Sequence, residues 1–389
     1  MFETRVLSGR FAGRELRAMK CDPRGIEIMS PKAEYLLVKA RGLDPRGANI
    51  LKQECLAAGA EAAVSWAALS LSGEPSDVII MGNLSQYERI LRKLNEQPFG
   101  LSQLSGEIRM ALKHFENPKE PPVSGKGTRI MGILNVTPDS FYDGGSYYDT
   151  HSAVQRGLSM AQLGADIIDV GGESTRPGSA GIPVEEELNR VIPVIEKLSR
   201  ETDVCISVDT QVPAVAESAV DAGASMINDI NGLRGQGMLE TAATLDVPVV
   251  IMHMQGVPGT MQDAPSYGDV MDEIYGFLLE RAAKAEEAGF SSDNIIIDPG
   301  IGFGKTFEHN VETLSRLEEF NSMGYPLLVG ASRKRFLGDI LGKGADGRLY
   351  GSLGIAAVAV QKGVSILRVH DVGETLDVIR TVEALKRGP

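Results

Sequence analysis

Cysteine is scarce in this 389-residue chain: Cys21, Cys55 and Cys205 are widely separated and odd in number. No CxxC or Cys/His spacing joins them, which excludes a disulfide framework and a structural zinc and points to a reducing compartment, the cytoplasm. Long apolar runs are also missing. None reaches the ~18 residues of a membrane span, and Met1-Phe2-Glu3-Thr4-Arg5 has no basic segment leading into an apolar one. Neither a membrane partner nor a signal peptide is expected. Aromatic residues make up only 5% of the chain, which leaves little material for stacking nucleic-acid bases.

Positive charge is short as well. The formal net charge is −13, and it is unevenly spread. Residues 1–125 carry 17 Lys and Arg against 15 Asp and Glu, and residues 126–389 carry 22 against 37. Such a surface repels phosphate backbones, so no nucleic-acid partner is expected. A small anion in a locally basic pocket is still compatible with it. The remaining composition, 43% hydrophobic and 23% charged, is that of a globular protein.

The stretch Glu120-Pro121-Pro122-Val123-Ser124-Gly125-Lys126-Gly127-Thr128 breaks the chain with two prolines and two glycines. This predicts a small domain over 1–120, a linker over 121–128 and a large domain over 129–389. In the small domain Asp77–Met81 reads as a strand, followed by helices at Leu84–Leu94 and Leu101–Phe115, hence α/β. Trp66, His114 and Cys55 stand alone there and carry no motif; a core tryptophan and a surface histidine are the expectation.

Beyond the linker, short β-branched runs alternate with amphipathic helices, the pattern of a parallel sheet covered on both faces. The strands read as 129–136, 166–171, 204–208, 225–229, 247–253, 294–298, 326–330 and 364–370. Helices read at 152–163, 184–200, 267–288 and 375–386. Eight such units in ~260 residues fit a (β/α)8 TIM barrel. The rival, an open doubly wound sheet, would carry a glycine-rich turn after its first strand; here Asn135-Val136-Thr137-Pro138 follows.

Each strand run ends in polar residues: Asn135, Asp169 with Glu173, Asp209, Asn228, His253, Asp298, Ser332, and Arg368 with His370. One strand-terminal Asp can simply cap a helix, but eight polar strand ends mark the C-terminal mouth of a barrel, where active sites are built. Asp209, Asn228 and Asp298 suit a flat heterocycle rich in N–H donors and ring nitrogens. Arg176, Arg333, Lys334, Arg368 and His370 suit a phosphate or carboxylate. Asp298 to Thr306 ends like a phosphate-binding loop, but Pro299 stands where such a loop needs glycine; a flexible ligand-approaching loop is the better reading. The string Ser332-Arg333-Lys334-Arg335 at a helix start opposes the helix dipole, which argues for a bound anion. His253, between two methionines, reads as structural.

These residues are familiar as a set. Gly132-Ile133-Leu134-Asn135-Val136-Thr137-Pro138-Asp139-Ser140-Phe141 and Ile168-Asp169-Val170-Gly171-Gly172-Glu173-Ser174-Thr175-Arg176-Pro177-Gly178 resemble the two signatures of the dihydropteroate synthase family. Ser207-Val208-Asp209-Thr210, Ile227-Asn228-Asp229, Asp298 to Lys305, Ser332-Arg333-Lys334 and Arg368-Val369-His370-Asp371 follow in the family's order. The resemblance covers about residues 129–389 and implies a pterin-binding barrel. Its reaction would join 4-aminobenzoate to a 6-hydroxymethyl-7,8-dihydropterin diphosphate, releasing diphosphate in folate synthesis. It further implies that Asp209, Asn228, Asp298 and Lys334 hold the pterin with Met252 against its face. Asn135 would help bind Mg2+. Arg368, His370 and the Thr175 region would hold the diphosphate, and Thr175, Arg176, Pro177, Phe303 and Ser332 would surround the aminobenzoate. A cytoplasmic homodimer inhibited by sulfonamides is implied too. A methyltransferase using methyltetrahydrofolate is the rival enzyme on a similar barrel, and a catalytically retired scaffold the rival outside enzymes.

Overall fold

The apolar runs become eleven strands in a computed structural model that describes residues 2–70, 73–137, 146–173 and 181–387. The chain divides into two compact units, Met1–Lys113 and His114–Pro389. The division lies ahead of the proline-rich stretch, so residues 114–128 go with the second unit. There Lys119 pairs with Asp293 and its carbonyl accepts from Ser365 Oγ.

In the first unit β1 (Tyr35–Leu43), β2 (Glu61–Val64) and β3 (Ser76–Asn83) form an antiparallel sheet in the order β1-β3-β2. The helices Pro45–Ala57, Leu84–Leu94 and Leu101–Glu116 close over one face, with Leu51, Ile80, Tyr87, Ile90 and Leu94 at the core. Asn83 and Gln86 form a reciprocal capping box, which explains why the second helix starts where the sequence predicts. Burial pushes the Cys55 thiol up to about 12, so it packs as a small apolar group. Trp66 is a correction: it is 80% exposed, because the short helix Trp66–Ser70 turns Ala68 inward in its place.

The second unit holds β4 (Arg129–Asn135), β5 (Ile167–Gly171), β6 (Cys205–Asp209), β7 (Met226–Asp229), β8 (Val249–Met252), β9 (Ile295–Asp298), β10 (Leu328–Val329) and β11 (Ile366–Val369). All pair in parallel in the order β10-β11-β4-β5-β6-β7-β8-β9, and the bridge Ile297–Leu327 joins the two ends. The result is the (β/α)8 barrel expected from the alternation. Outward residues such as Ile130, Ile168, Ile227, Val249 and Ile295 pack under the helices. Inward residues Met131, Ile167, Met226, Val250, Ile296, Leu328 and Ile366 form one apolar layer across the lumen. Side chains alternate along a strand, so two residues further on the next inward set is Ile133, Asp169, Asn228, Met252, Asp298, Gly330 and Arg368. The barrel is oily at its floor and polar one layer higher. Among the described residues, no helix is long and apolar enough to cross a membrane.

Below the apolar layer lies Arg129, whose side chain is only 2% exposed. Its guanidinium donates to the carbonyls of Val123, Ser124 and Gly127 and to Glu120, so the expected linker is stitched to the barrel floor. Arg129→Ala strands those carbonyls without donors. It should lower the unfolding free energy by about 2–4 kcal/mol in urea melts, whereas an unchanged midpoint would mean that the stretch is only loosely held.

Candidate active site

Each inward polar residue of the upper layer reaches the lumen from a different strand, and Arg368 ties them together. Its Nε donates to Asp169 Oδ2 and its Nη2 to Asp209 Oδ2, both at 2.6 Å. Asn228 Nδ2 donates to the same Asp169 oxygen at 3.0 Å. Burial opposes the Arg368 charge, but Asp169 and Asp209 outweigh it and hold its pKa above the ordinary value. One guanidinium thus serves two carboxylates. Burial therefore pushes the Asp209 carboxyl up to about 7 despite Arg368, and the Asp169 charge adds to the rise. Asp169 Oδ1 and Ser207 Oγ, opposite each other on β5 and β6, are buried without a hydrogen-bond partner. The arrangement holds an excess of acceptors, which an N–H-rich ligand would satisfy.

Asp298 ends β9. Its Oδ1 accepts from the Gly300 amide at 2.7 Å, and burial raises its pKa to about 6 against that bond and the charges of Lys334, Lys305 and Arg368. Lys334 is half-buried, with its ammonium 4.0 Å from the centre of the Phe303 ring. Burial first, and then Arg368, bring its pKa down to about 8, while Asp298 and Asp209 pull it back up. Phe303 belongs to an apolar wall with Ile230, Met252, Met254 and Met261. Ser332 Oγ lies 3.0 Å from His370 Nδ1. Burial, Arg368 and Arg333 push the His370 pKa down to about 4, so the imidazole is neutral before any anion arrives. Asn135 closes β4 at the mouth, half-buried.

Thus Asn135, Asp209, Asn228, Met252, Asp298, Phe303, Ser332, Lys334, Arg368 and His370 all come from the β-strand ends and loops of the barrel mouth. Thr175, Arg176 and Pro177, together with Asp139, Ser140 and Phe141, lie outside the described residues. Two expectations need correction. Arg333 does not await an anion: its guanidinium is held by both Asp371 oxygens, and the helix that follows, Arg335–Leu341, is only seven residues long. The loop after Asp298 is not slack. Gly300 and Gly304 have φ of +67° and +57°, and a Cβ there would meet the His253 and Gln255 carbonyls at 1.9 and 2.4 Å.

The comparisons bear on the barrel as a whole. Residues 131–370 match the family model of pterin binding enzymes. The chain is a pterin-binding enzyme. Within that family it is 51% identical over 255 residues to the dihydropteroate synthase of Escherichia coli K12, covering 66% of this chain and 90% of that one. A dihydropteroate synthase from Xanthomonas albilineans, solved in complex with 7,8-dihydropteroate, is 46% identical with a TM-score of 0.63. That alignment covers 68% of this chain and 95% of the other. A probable bifunctional folylpolyglutamate synthase/dihydropteroate synthase of Halobacterium salinarum is 41% identical over 388 residues, 99% of this chain. This chain spans 47% of that relative, and the match includes the first unit.

Reading residues singly misses Asp169 as a partner of Arg368, Ser207 as an orphan, and Met254 and Met261 as part of the wall. For the first two the signal is the inward register: Asp169 and Ser207 each lie two residues before a strand end that faces the lumen. The raised Asp298 carboxyl has a linkage consequence. Its folded pKa lies above the ordinary carboxyl value of 3.8, so the native state holds a proton that the unfolded chain releases, and stability falls as pH climbs from about 4 to 6. Asp298→Asn should abolish that loss. The stability of the variant relative to the parent, from urea melts, should improve by about 2–3 kcal/mol between pH 4 and pH 8. A pH-independent difference would show that Asp298 is ionised at no cost.

Proposed function

We propose that the chain is a dihydropteroate synthase, condensing (7,8-dihydropterin-6-yl)methyl diphosphate with 4-aminobenzoate to 7,8-dihydropteroate and diphosphate. The observation that carries this is the acceptor-rich polar layer, Asp169, Asp209, Asn228 and Asp298, set against a wall of methionine and Phe303. A pterin offers amino and ring N–H groups along one edge and a flat apolar face. Asp209, Asn228, Asp298 and Lys334 take the edge, and Met252 takes the face. The Nη1 of Arg368 has no hydrogen bond among the described residues, and with His370 and the Thr175 region it takes the diphosphate. A bound dianion would raise the His370 pKa and let the imidazole donate. Thr175, Arg176, Pro177, Phe303 and Ser332 surround the aminobenzoate.

The C–O bond between the pterin methyl carbon and the diphosphate breaks, and its electron pair leaves with diphosphate. Asp209 and Asp298 stabilise the cationic pterin through the ring. The arylamine lone pair forms the new C–N bond, and the amine proton passes to solvent. An arylamine is a free base at neutral pH, so no general base is needed before it attacks. Among the described residues, no group of three His, Cys, Asp or Glu could hold a metal ion, and Asn135 offers one neutral oxygen. That donor set suits a Mg2+ that arrives with the diphosphate, and Asn135 would hold it while the ion neutralises phosphate charge. The three free cysteines fit a cytoplasmic setting.

Purified chain should release diphosphate only when 4-aminobenzoate is present, with competition by a sulfonamide. Asp209→Asn should lower kcat/KM on the order of a hundredfold. Methyl transfer from methyltetrahydrofolate without diphosphate release would favour the methyltransferase reading, and full turnover by Asp209→Asn would refute the cation-stabilising role.

The second unit also favours a homodimer. Helix Leu349–Gln361 has no charged residue, and Tyr350, Gly354 and Val358 lie exposed along one stripe at four-residue spacing. A stripe pairing with its own copy would bury Tyr350, which is 77% exposed, and nearby Ile340, which is 53% exposed. Sedimentation should show a dimer for the parent and a monomer for Tyr350→Glu/Val358→Glu; a monomeric parent would refute it.

A further inference from the structure

One charge in the barrel mouth has no task in the scheme above. Lys305 is 3% exposed, yet its ammonium has a partner for each of its three N–H bonds. The Gly300 carbonyl lies at 2.9 Å, the Phe303 carbonyl at 3.2 Å and His253 Nδ1 at 3.0 Å. As the acceptor, His253 must be unprotonated at Nδ1. Burial first, then Lys305 and Arg234, depress its pKa to about 2, and its ring sits edge-on to Phe277 at 5.0 Å. The two carbonyls belong to the loop after β9. Gly300 also donates its amide to Asp298, Phe303 presents its ring to Lys334, and the Gly302 carbonyl accepts from Gln262. A lysine with satisfied donors, buried where methionine would pack, is costly to keep unless its contacts serve the site.

We propose that Lys305 is a positioning residue for the pterin site, holding Gly300 and Phe303 so that Asp298 and the Phe303 ring face the bound substrate. The proposal rests on the functional reading above. The charge of Lys305 acts in the same direction as Lys334 and Arg368 in favouring ionised Asp298. His253, kept neutral, contributes none.

The test compares Lys305→Met and Lys305→Gln with the parent in the full-length chain, following 4-aminobenzoate-dependent diphosphate release from pH 5 to 9. Lys305→Met should raise the KM for the pterin diphosphate on the order of tenfold to a hundredfold with a smaller change in kcat. Without the neighbouring cation Asp298 takes up its proton at higher pH, so the acid-side rise in KM should move upward. Lys305→Gln keeps N–H donors but no charge; it should recover part of the KM and retain the shifted acid side. A purely packing role would not move that acid side. If Lys305→Met does not fold, Lys305→Gln still gives the pH readout. An active parent with variants of parental KM and parental acid side overturns this inference alone. A parent that releases no diphosphate overturns the functional reading and takes this inference with it.

Discussion

The site depends on one guanidinium shared by two buried carboxylates. Arg368 stands on β11, Asp169 on β5 and Asp209 on β6, with β4 and β5 lying between the outer two in the ring. Their contact is therefore a chord across the lumen, and its 2.6 Å bonds set how the strand ends face one another. With every group ionised the triad would carry one positive and two negative charges, largely withdrawn from bulk water. It cannot be neutral with every group ionised, and the raised Asp209 is how the mismatch is expressed. A ligand that brings N–H donors, and later a developing cation, relieves that mismatch. The same feature that makes the site costly to fold makes it selective.

The polar layer survives because of what lies beneath it. Met131, Ile167, Met226, Val250, Ile296, Leu328 and Ile366 fill the lumen one step lower, all fully buried. They hold the strands at a fixed register, and the strict alternation of side chains then delivers Asp169, Asn228, Asp298 and Arg368 to one level. Above, the loop after β9 is pinned by glycines in left-handed conformations and by the buried ammonium of Lys305. Asp298 and Phe303 thus inherit rigidity from both sides, which a site relying on positioning requires.

Much of this was legible in the residues. The eight barrel strands each lie within a run of apolar or β-branched residues, and the polar strand ends mark the mouth. What escaped is long-range. The Arg368–Asp169 pair spans 199 positions of sequence, and no local pattern announces it. The basic string at Arg333 looked like an anion site because its partner, Asp371, lies 38 residues away. The sheet of the first unit was only one-third read. In β1 exposed Lys39 and Arg41 interrupt the apolar run, and β2 is four residues of mostly alanine and valine. Trp66 misled for a related reason: residue size predicts burial only where an element turns that face inward.

Net charge is the last quantity to fall into place. A chain at −13 would not be picked as a diphosphate binder. Electrostatic attraction in a closed site, however, is set by the nearest few groups, because a low local dielectric strengthens them while solvent screens the surface. In the mouth the cations Lys334 and Arg368 stand beside Asp169, Asp209 and Asp298, with His370 held neutral. The pocket is therefore mixed in charge, and a small ligand meets particular groups aimed at it rather than a sum. The acidic surface outside, screened by solvent, acts on such a ligand only weakly. Net charge thus governs what the whole surface repels, such as a long polyanion, and leaves a small ligand to a few groups at short range.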